Sequence, residues 1–114
     1  ALQRFYTHRY KTTTQASIEK YGYDAETLRN YINNHPNIVN LKDEQLSLDH
    51  IFPIAAFVDH GIYDLKAINH LSNIQPISYK ENLKKSYLYD KEKFYEWLES
   101  IGYNKDEKRW NDNV

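Results

Sequence analysis

The chain is 114 residues long, with 40% hydrophobic, 15% aromatic and 27% charged residues and a net charge of −1. That length suits a single core, and the aromatic content at near-zero net charge argues against a disordered chain. The absence of cysteine excludes disulfides, thiolate metal sites and cysteine nucleophiles, and no apolar run reaches the roughly 20 residues that cross a bilayer.

The charge is unevenly placed. Residues 1–18 carry Arg4, His8, Arg9 and Lys11 with no acid, and residues 79–93 carry Lys80, Lys84, Lys85, Lys91 and Lys93 against Glu81, Asp90 and Glu92. Such segments either form a positive face that attracts phosphates or are ordinary solvated surface. Residues 1–10 interleave basic and aromatic side chains without a clear period, and residues 1–20 read as an arm or the end of an upstream segment. The lack of methionine, at position 1 included, points to a domain cut from something longer. No basic-then-apolar leader opens the sequence, so a cytoplasmic protein without a membrane partner is expected.

The first periodic segment follows Asp24, with Ala25, Leu28, Tyr31 and Ile32 at helical spacing. Asp24 suits the N-cap, Tyr23 can staple onto Leu28, and Pro36 ends the helix by His35. Residues 37–45 offer little to bury and read as loop. Residues 46–52 alternate apolar and polar up to Pro53, the pattern of a half-buried strand. Residues 54–69 read as short helical turns around Gly61. Residues 71–77 alternate again, and Pro76 confines them to an edge strand or to a strand's last residues. The two strands form a hairpin with a long connection.

Ser78 and Glu81 fit a capping box, starting a short helix at Tyr79 that carries Asn82 and Lys85. The last helix begins at Asp90, places Phe94, Trp97, Leu98 and Ile101 on one stripe, and ends at Gly102. That stripe is expected to pack against the hairpin. The fold class is α+β, with the domain spanning 21–102 and a loose tail over 103–114.

Chemistry concentrates at Asp49 and His50. Strand neighbours point to opposite faces, so one of the two turns inward, and a carboxylate among Leu48, Ile51 and Phe52 is costly unless paired or metal-bound. The alternative is a capping aspartate beside a hydrogen-bonded histidine. Asn73 sits between apolar residues of the second strand, and Asn82 lies one turn into the capped helix. Each alone reads as an ordinary turn or surface amide. A helix crossing the hairpin, however, can bring Asp49, His50 and Asn82 to one point. Carboxylate and amide oxygens suit Mg²⁺ or another hard divalent ion, and an imidazole can deprotonate water as a general base. Lysines on the same helix, Lys85 among them, can hold flanking phosphates. Together these groups suggest phosphodiester hydrolysis.

The runs LDHIFPI (48–54) and HLSNIQPISYKENLKKS (70–86) resemble the core of the HNH endonuclease family, in which a DH pair, a central N and a helical N-x-x-K recur. The run YGYDAETLRNYI (21–32) is similar to a segment that precedes this core in phage-type members. The resemblance implies a ββα-metal core flanked by additional helices, and a metal-dependent DNA endonuclease. It implies one divalent ion, Mg²⁺ first and Mn²⁺ as a substitute. Asp49 then matches the metal-binding acid and Asn82 the second metal ligand. The catalytic positions are His50, the general base, and Asn73, which in the family braces the loop between the strands and so positions the histidine. Lys85 matches the trailing basic residue, and Lys80, Lys84, Lys85, Arg4 and Arg9 are the candidates for DNA contact.

Two features depart from the family pattern. The CxxC pairs that hold a structural zinc in many members are missing, so no structural zinc is expected. The tryptophan that often precedes the DH pair is replaced by Gln45-Leu46-Ser47. The expected partner is double-stranded DNA, nicked by one site per chain, in a phage- or bacteria-encoded setting. A homodimer, membership of a larger chain or complex, an inactive DNA-binding or assembly module of the same fold, and a nuclease toxin domain stay open.

Overall fold

Two strands of five residues, β1 (Leu46–His50) and β2 (Ile74–Ser78), pair antiparallel, with Asp49 opposite Gln75 and His50 opposite Ile74. The computed structural model describes residues 14–41, 45–107 and 110. Among the described residues this sheet is accompanied by six helices: α1 (Thr14–Tyr21), α2 (Ala25–Asn33), α3 (Ile54–Asp59), α4 (Leu65–Ile68), α5 (Tyr79–Lys84) and α6 (Lys91–Ser100). The fold is α+β, and none of the described helices is long and apolar enough to cross a membrane.

Local chemistry sets the ends of these elements. Asp24 Oδ1 accepts from Thr27 N at 2.8 Å and from Thr27 Oγ1 at 2.7 Å, which caps α2. The same two bonds hold the Asp24 carboxyl below its usual range. Pro36 forbids continuation of α2, but its fixed φ suits a tighter coil. Residues expected as loop therefore form a 3₁₀ turn at Pro36–Asn40, capped by His35 Nδ1 accepting from Asn37 N at 3.1 Å. Asp90 caps α6 through Lys93 N, and Gly102, at φ +70°, adopts the left-handed turn that ends it.

Burial divides into two clusters. Tyr23, Leu28, Ile32 and Ile74 are buried together with Leu48, Leu71 and Ile38 packed on them, so α2 covers one face of the sheet. Phe57, Ala56, Ile62, Ala67, Ile68 and Phe94 form the other cluster. The α6 stripe therefore packs on α3 and α4, inserted between the strands, and not on the hairpin as its sequence suggests. The reason is occupancy: α2 already covers Leu48 and Ile74, whereas Ala56 and Ala67 leave room beside Phe57 for the Phe94 ring, which meets it edge-on at 5.0 Å.

The segment beyond Gly102 also differs from expectation. Tyr103 packs on the second cluster and donates its hydroxyl to Asp64 Oδ2, and Trp110 is buried there. Burial, and then that carboxylate, push the Tyr103 phenol far above its ordinary range. At the other end, residues 14–20, assigned to an arm, belong to α1, and the rest of that arm lies outside the described residues.

Candidate active site

The long connection returns the chain to the sheet so that α5 begins directly at the end of β2. Ser78 Oγ accepts from Glu81 N at 3.1 Å, and Tyr79 N donates to Gln45 O at 3.0 Å, which fixes where the helix leaves. Residues three apart share a helix face, so Asn82 and Lys85, the latter just past the last turn, both reach β1. Ser47 and Asp49 share a strand face for the matching reason of period two. Two rungs result: Asn82 Nδ2 donates to Ser47 Oγ at 2.6 Å, and Lys85 Nζ donates to Asp49 Oδ2 at 2.7 Å.

Asp49 is only 5% exposed. Its Oδ2 also accepts from Gln75 Nε2 at 2.8 Å. Gln75 is the cross-strand partner of Asp49, and its Oε1 accepts from Asn37 Nδ2 at 3.3 Å, which turns the amide nitrogen toward the carboxylate. Lys85 extends two further bonds, to the carbonyls of His50 at 2.7 Å and Ile51 at 3.2 Å. All three ammonium hydrogens thus have acceptors, and the carboxylate has the countercharge that burial demands.

His50 is the last residue of β1 and turns to the other side of the strand, where Nε2 lies 3.0 Å from Asn69 Oδ1. Because the sheet ends there, both neighbours still border one cleft. It measures about 510 Å³, and its lining includes Asp49, His50, Ile54, Asn82, Lys85 and Tyr87.

Asn73 lies outside this lining and is fully buried. Its Oδ1 accepts from Phe52 N at 2.7 Å, and its Nδ2 donates to Phe52 O at 3.2 Å and Ile68 O at 3.0 Å. Its carbonyl accepts from Ile51 N at 2.8 Å. Asn73 pins the backbone leaving His50 and has no path to a substrate, so it is a positioning residue and not one that touches the reacting atoms.

Four sequence-selected residues, Asp49, His50, Asn82 and Lys85, therefore meet at the cleft. Lys80 and Lys84 are exposed on α5, while Arg4 and Arg9 lie outside the described residues. Lys85 departs from its expected part, since its ammonium is bound to Asp49 and the backbone and does not project outward. Sequence reasoning missed Ser47, Gln75, Asn37 and Asn69. Aligning the two strands would reveal Gln75 opposite Asp49, and the period of two would reveal Ser47, but Asn69 carries no such signal. His70 sits apart: its Nδ1 bonds Ser72 Oγ at 2.8 Å, its ring lies near Trp97 and Trp110, and burial lowers its pKa.

No family model, no characterised protein and no solved structure matches this chain.

The donor chemistry of the cleft fits a hard divalent cation. Among the described residues, Asp49 Oδ1 and Asn82 Oδ1 accept no hydrogen bond, because Gln75 and Lys85 bond Oδ2 and Asn82 engages Ser47 through its nitrogen. A carboxylate oxygen and an amide oxygen are thus available on one cleft, and they are ligand types that Mg²⁺ accepts alongside water and phosphate.

Proposed function

We propose that the cleft hydrolyses phosphodiester bonds of DNA, as an endonuclease of the HNH type built on a ββα-metal core of β1, β2 and α5. The observation that carries this reading is the convergence of Asp49, His50 and Asn82 on one cleft of a strand–strand–helix unit, with Asn73 pinning the backbone beside His50. The order of these residues along the chain is that of the motif they resemble.

In this reading His50 takes a proton from the attacking water. Asp49 and Asn82 would hold one Mg²⁺, for which Mn²⁺ can substitute. When bound, the ion supplies Lewis-acid stabilisation of the charge that grows on the phosphate and the leaving 3′ oxygen. Lys80 and Lys84, exposed on α5, attract the flanking phosphates of a duplex. Asn73 keeps the histidine's backbone in place throughout.

A second reading, a DNA-binding or assembly module without turnover, is favoured by one observation: Lys85 Nζ already neutralises Asp49 at 2.7 Å. One assay separates the two. Supercoiled plasmid is incubated with the protein and Mg²⁺ or Mn²⁺, with and without EDTA. The nuclease reading expects nicked circles with metal, none with EDTA, and none with His50→Ala, while that variant still shifts DNA in a gel. DNA binding without metal-dependent nicking would establish the module instead.

A further inference from the structure

The His50 imidazole is held by an amide whose own orientation is fixed. Asn69 follows α4 as its C-cap, is 6% exposed, and donates Nδ2 to Leu65 O at 3.1 Å. A carbonyl can only accept, so the atom facing Leu65 is the nitrogen. Rotating the amide would set two oxygens against each other. The atom facing His50 is therefore Oδ1, and Nε2, 3.0 Å away, must carry the hydrogen. Asn69 is itself tied to the sheet-side core, because Tyr23 donates its hydroxyl to Asn69 O at 2.6 Å.

We infer that Asn69 is a positioning residue that fixes His50 as the Nε2–H tautomer in one ring orientation, leaving Nδ1 as the basic nitrogen. The activity test of this assignment rests on the nuclease reading above, and the spectroscopic test does not. An imidazole free to turn and to exchange tautomers presents the right nitrogen in the right direction only part of the time. A fixed acceptor on one nitrogen removes both freedoms, the logic by which a second group orients a catalytic histidine. The signal is absent from the sequence motif, because Asn69 lies outside the strands and reaches His50 only through the turn of α4.

The test is ¹⁵N–¹H long-range correlation of the histidine side chains at about pH 8.5, above the ordinary imidazole range. His50 is expected to show the Nε2–H pattern with an Nε2 proton protected from exchange. An Nδ1–H pattern, or an unprotected proton, in the wild-type protein overturns the inference. Asn69→Leu should lose the protected proton, and Asn69→Asp, which keeps an acceptor oxygen toward Nε2 but sets its other oxygen against Leu65 O, should restore it with weaker protection than in the wild-type protein.

In plasmid nicking, Asn69→Leu is expected to lower kcat about tenfold or more with KM for DNA within twofold, and Asn69→Asp to recover part of the rate. An Asn69→Leu protein that nicks at the wild-type rate overturns the positioning role. Should Asn69→Leu fail to fold, the wild-type spectrum and Asn69→Asp still decide the matter. A protected Nε2–H with no nicking by the wild-type protein would refute the nuclease reading while supporting the assignment of the ring.

Discussion

Lys85 closes the Asp49 carboxylate from the side of α5, with its ammonium 2.7 Å from Oδ2 and a further bond to the carbonyl of His50. One residue thus supplies the countercharge of a buried acid and a clasp on the end of β1. A divalent cation at Asp49 would have to share the carboxylate with this ammonium or displace it, since two cations within a few ångströms repel.

The first prediction follows from that competition. Lys85→Ala leaves a buried carboxylate without its partner, and should destabilise the fold by roughly 1–3 kcal/mol, below the usual figure for a fully buried pair because Lys85 is partly exposed. In EDTA its melting temperature should fall. Adding Mg²⁺ should raise that temperature by more than it does in the wild-type protein, because the ion no longer competes with an ammonium. Differential scanning fluorimetry with and without metal reads both effects. An equal Mg²⁺ response in the two proteins would show that no cation binds against Lys85.

A second prediction concerns Asn73. Its three side-chain bonds hold Phe52 N and Phe52 O, which are part-buried, and Ile68 O, which is buried. Asn73→Ala should cost about 2–4 kcal/mol, more than an average polar deletion, since several partners are orphaned at once. Asn73→Asp should fare little better, because a carboxylate cannot donate to the two carbonyls. Urea denaturation measures the loss, with nicking activity expected to fall even at temperatures where the variant stays folded.

The legibility of the sequence varied with the range of the interaction. Caps and breaks are set by neighbours a few residues apart, so Asp24, Pro36, Ser78, Asp90 and Gly102 could be read directly. The hairpin was legible from alternation, although its second strand begins at Ile74, since residues 71–73 coil into a 3₁₀ turn. The partner of α6 was not legible. An apolar stripe states that something must cover it and not what, and here α2 already occupies the sheet. At the site, Asp49, His50 and Asn82 stood out by residue type. Gln75, Asn37 and Asn69 did not, because their importance lies in which atoms they turn toward Asp49 and His50.

Acid should act on the fold partly through His70. Burial against Trp97 and Trp110 lowers its pKa from the ordinary 6.5, so on acidification the unfolded chain takes up the proton first. The stability contributed by the neutral ring is complete above about pH 6.5 and declines below it until the folded-state pKa is passed. His70→Gln removes that titration. The stability difference between wild type and variant should shrink between about pH 7 and pH 5.5, as read from urea midpoints at each pH. A difference that stays constant or grows on acidification would mean that the ring is not held neutral.

The aromatic core offers a test of how far the site depends on α6. Phe94 is fully buried and meets Phe52, Phe57 and Trp97 with ring centroids 5.0–6.3 Å apart. Phe94→Ala removes the ring from a packed cluster and should cost about 3–5 kcal/mol, a large share of the total for a domain of this size. Phe94 does not line the cleft, whose walls come from β1, α3, α5 and the residues following them. The variant should therefore lower the urea midpoint sharply. Per folded molecule, at a temperature where the fold persists, nicking should stay within about threefold of wild type, because packing alone is changed. Phe52 is the point of coupling, since it touches Phe94 on one side while its backbone is gripped by Asn73 on the other. If nicking per folded molecule dropped as steeply as stability, the loss of the Phe94 ring would be acting through Phe52 on the His50 backbone, and α6 would have to be counted among the elements that set the histidine.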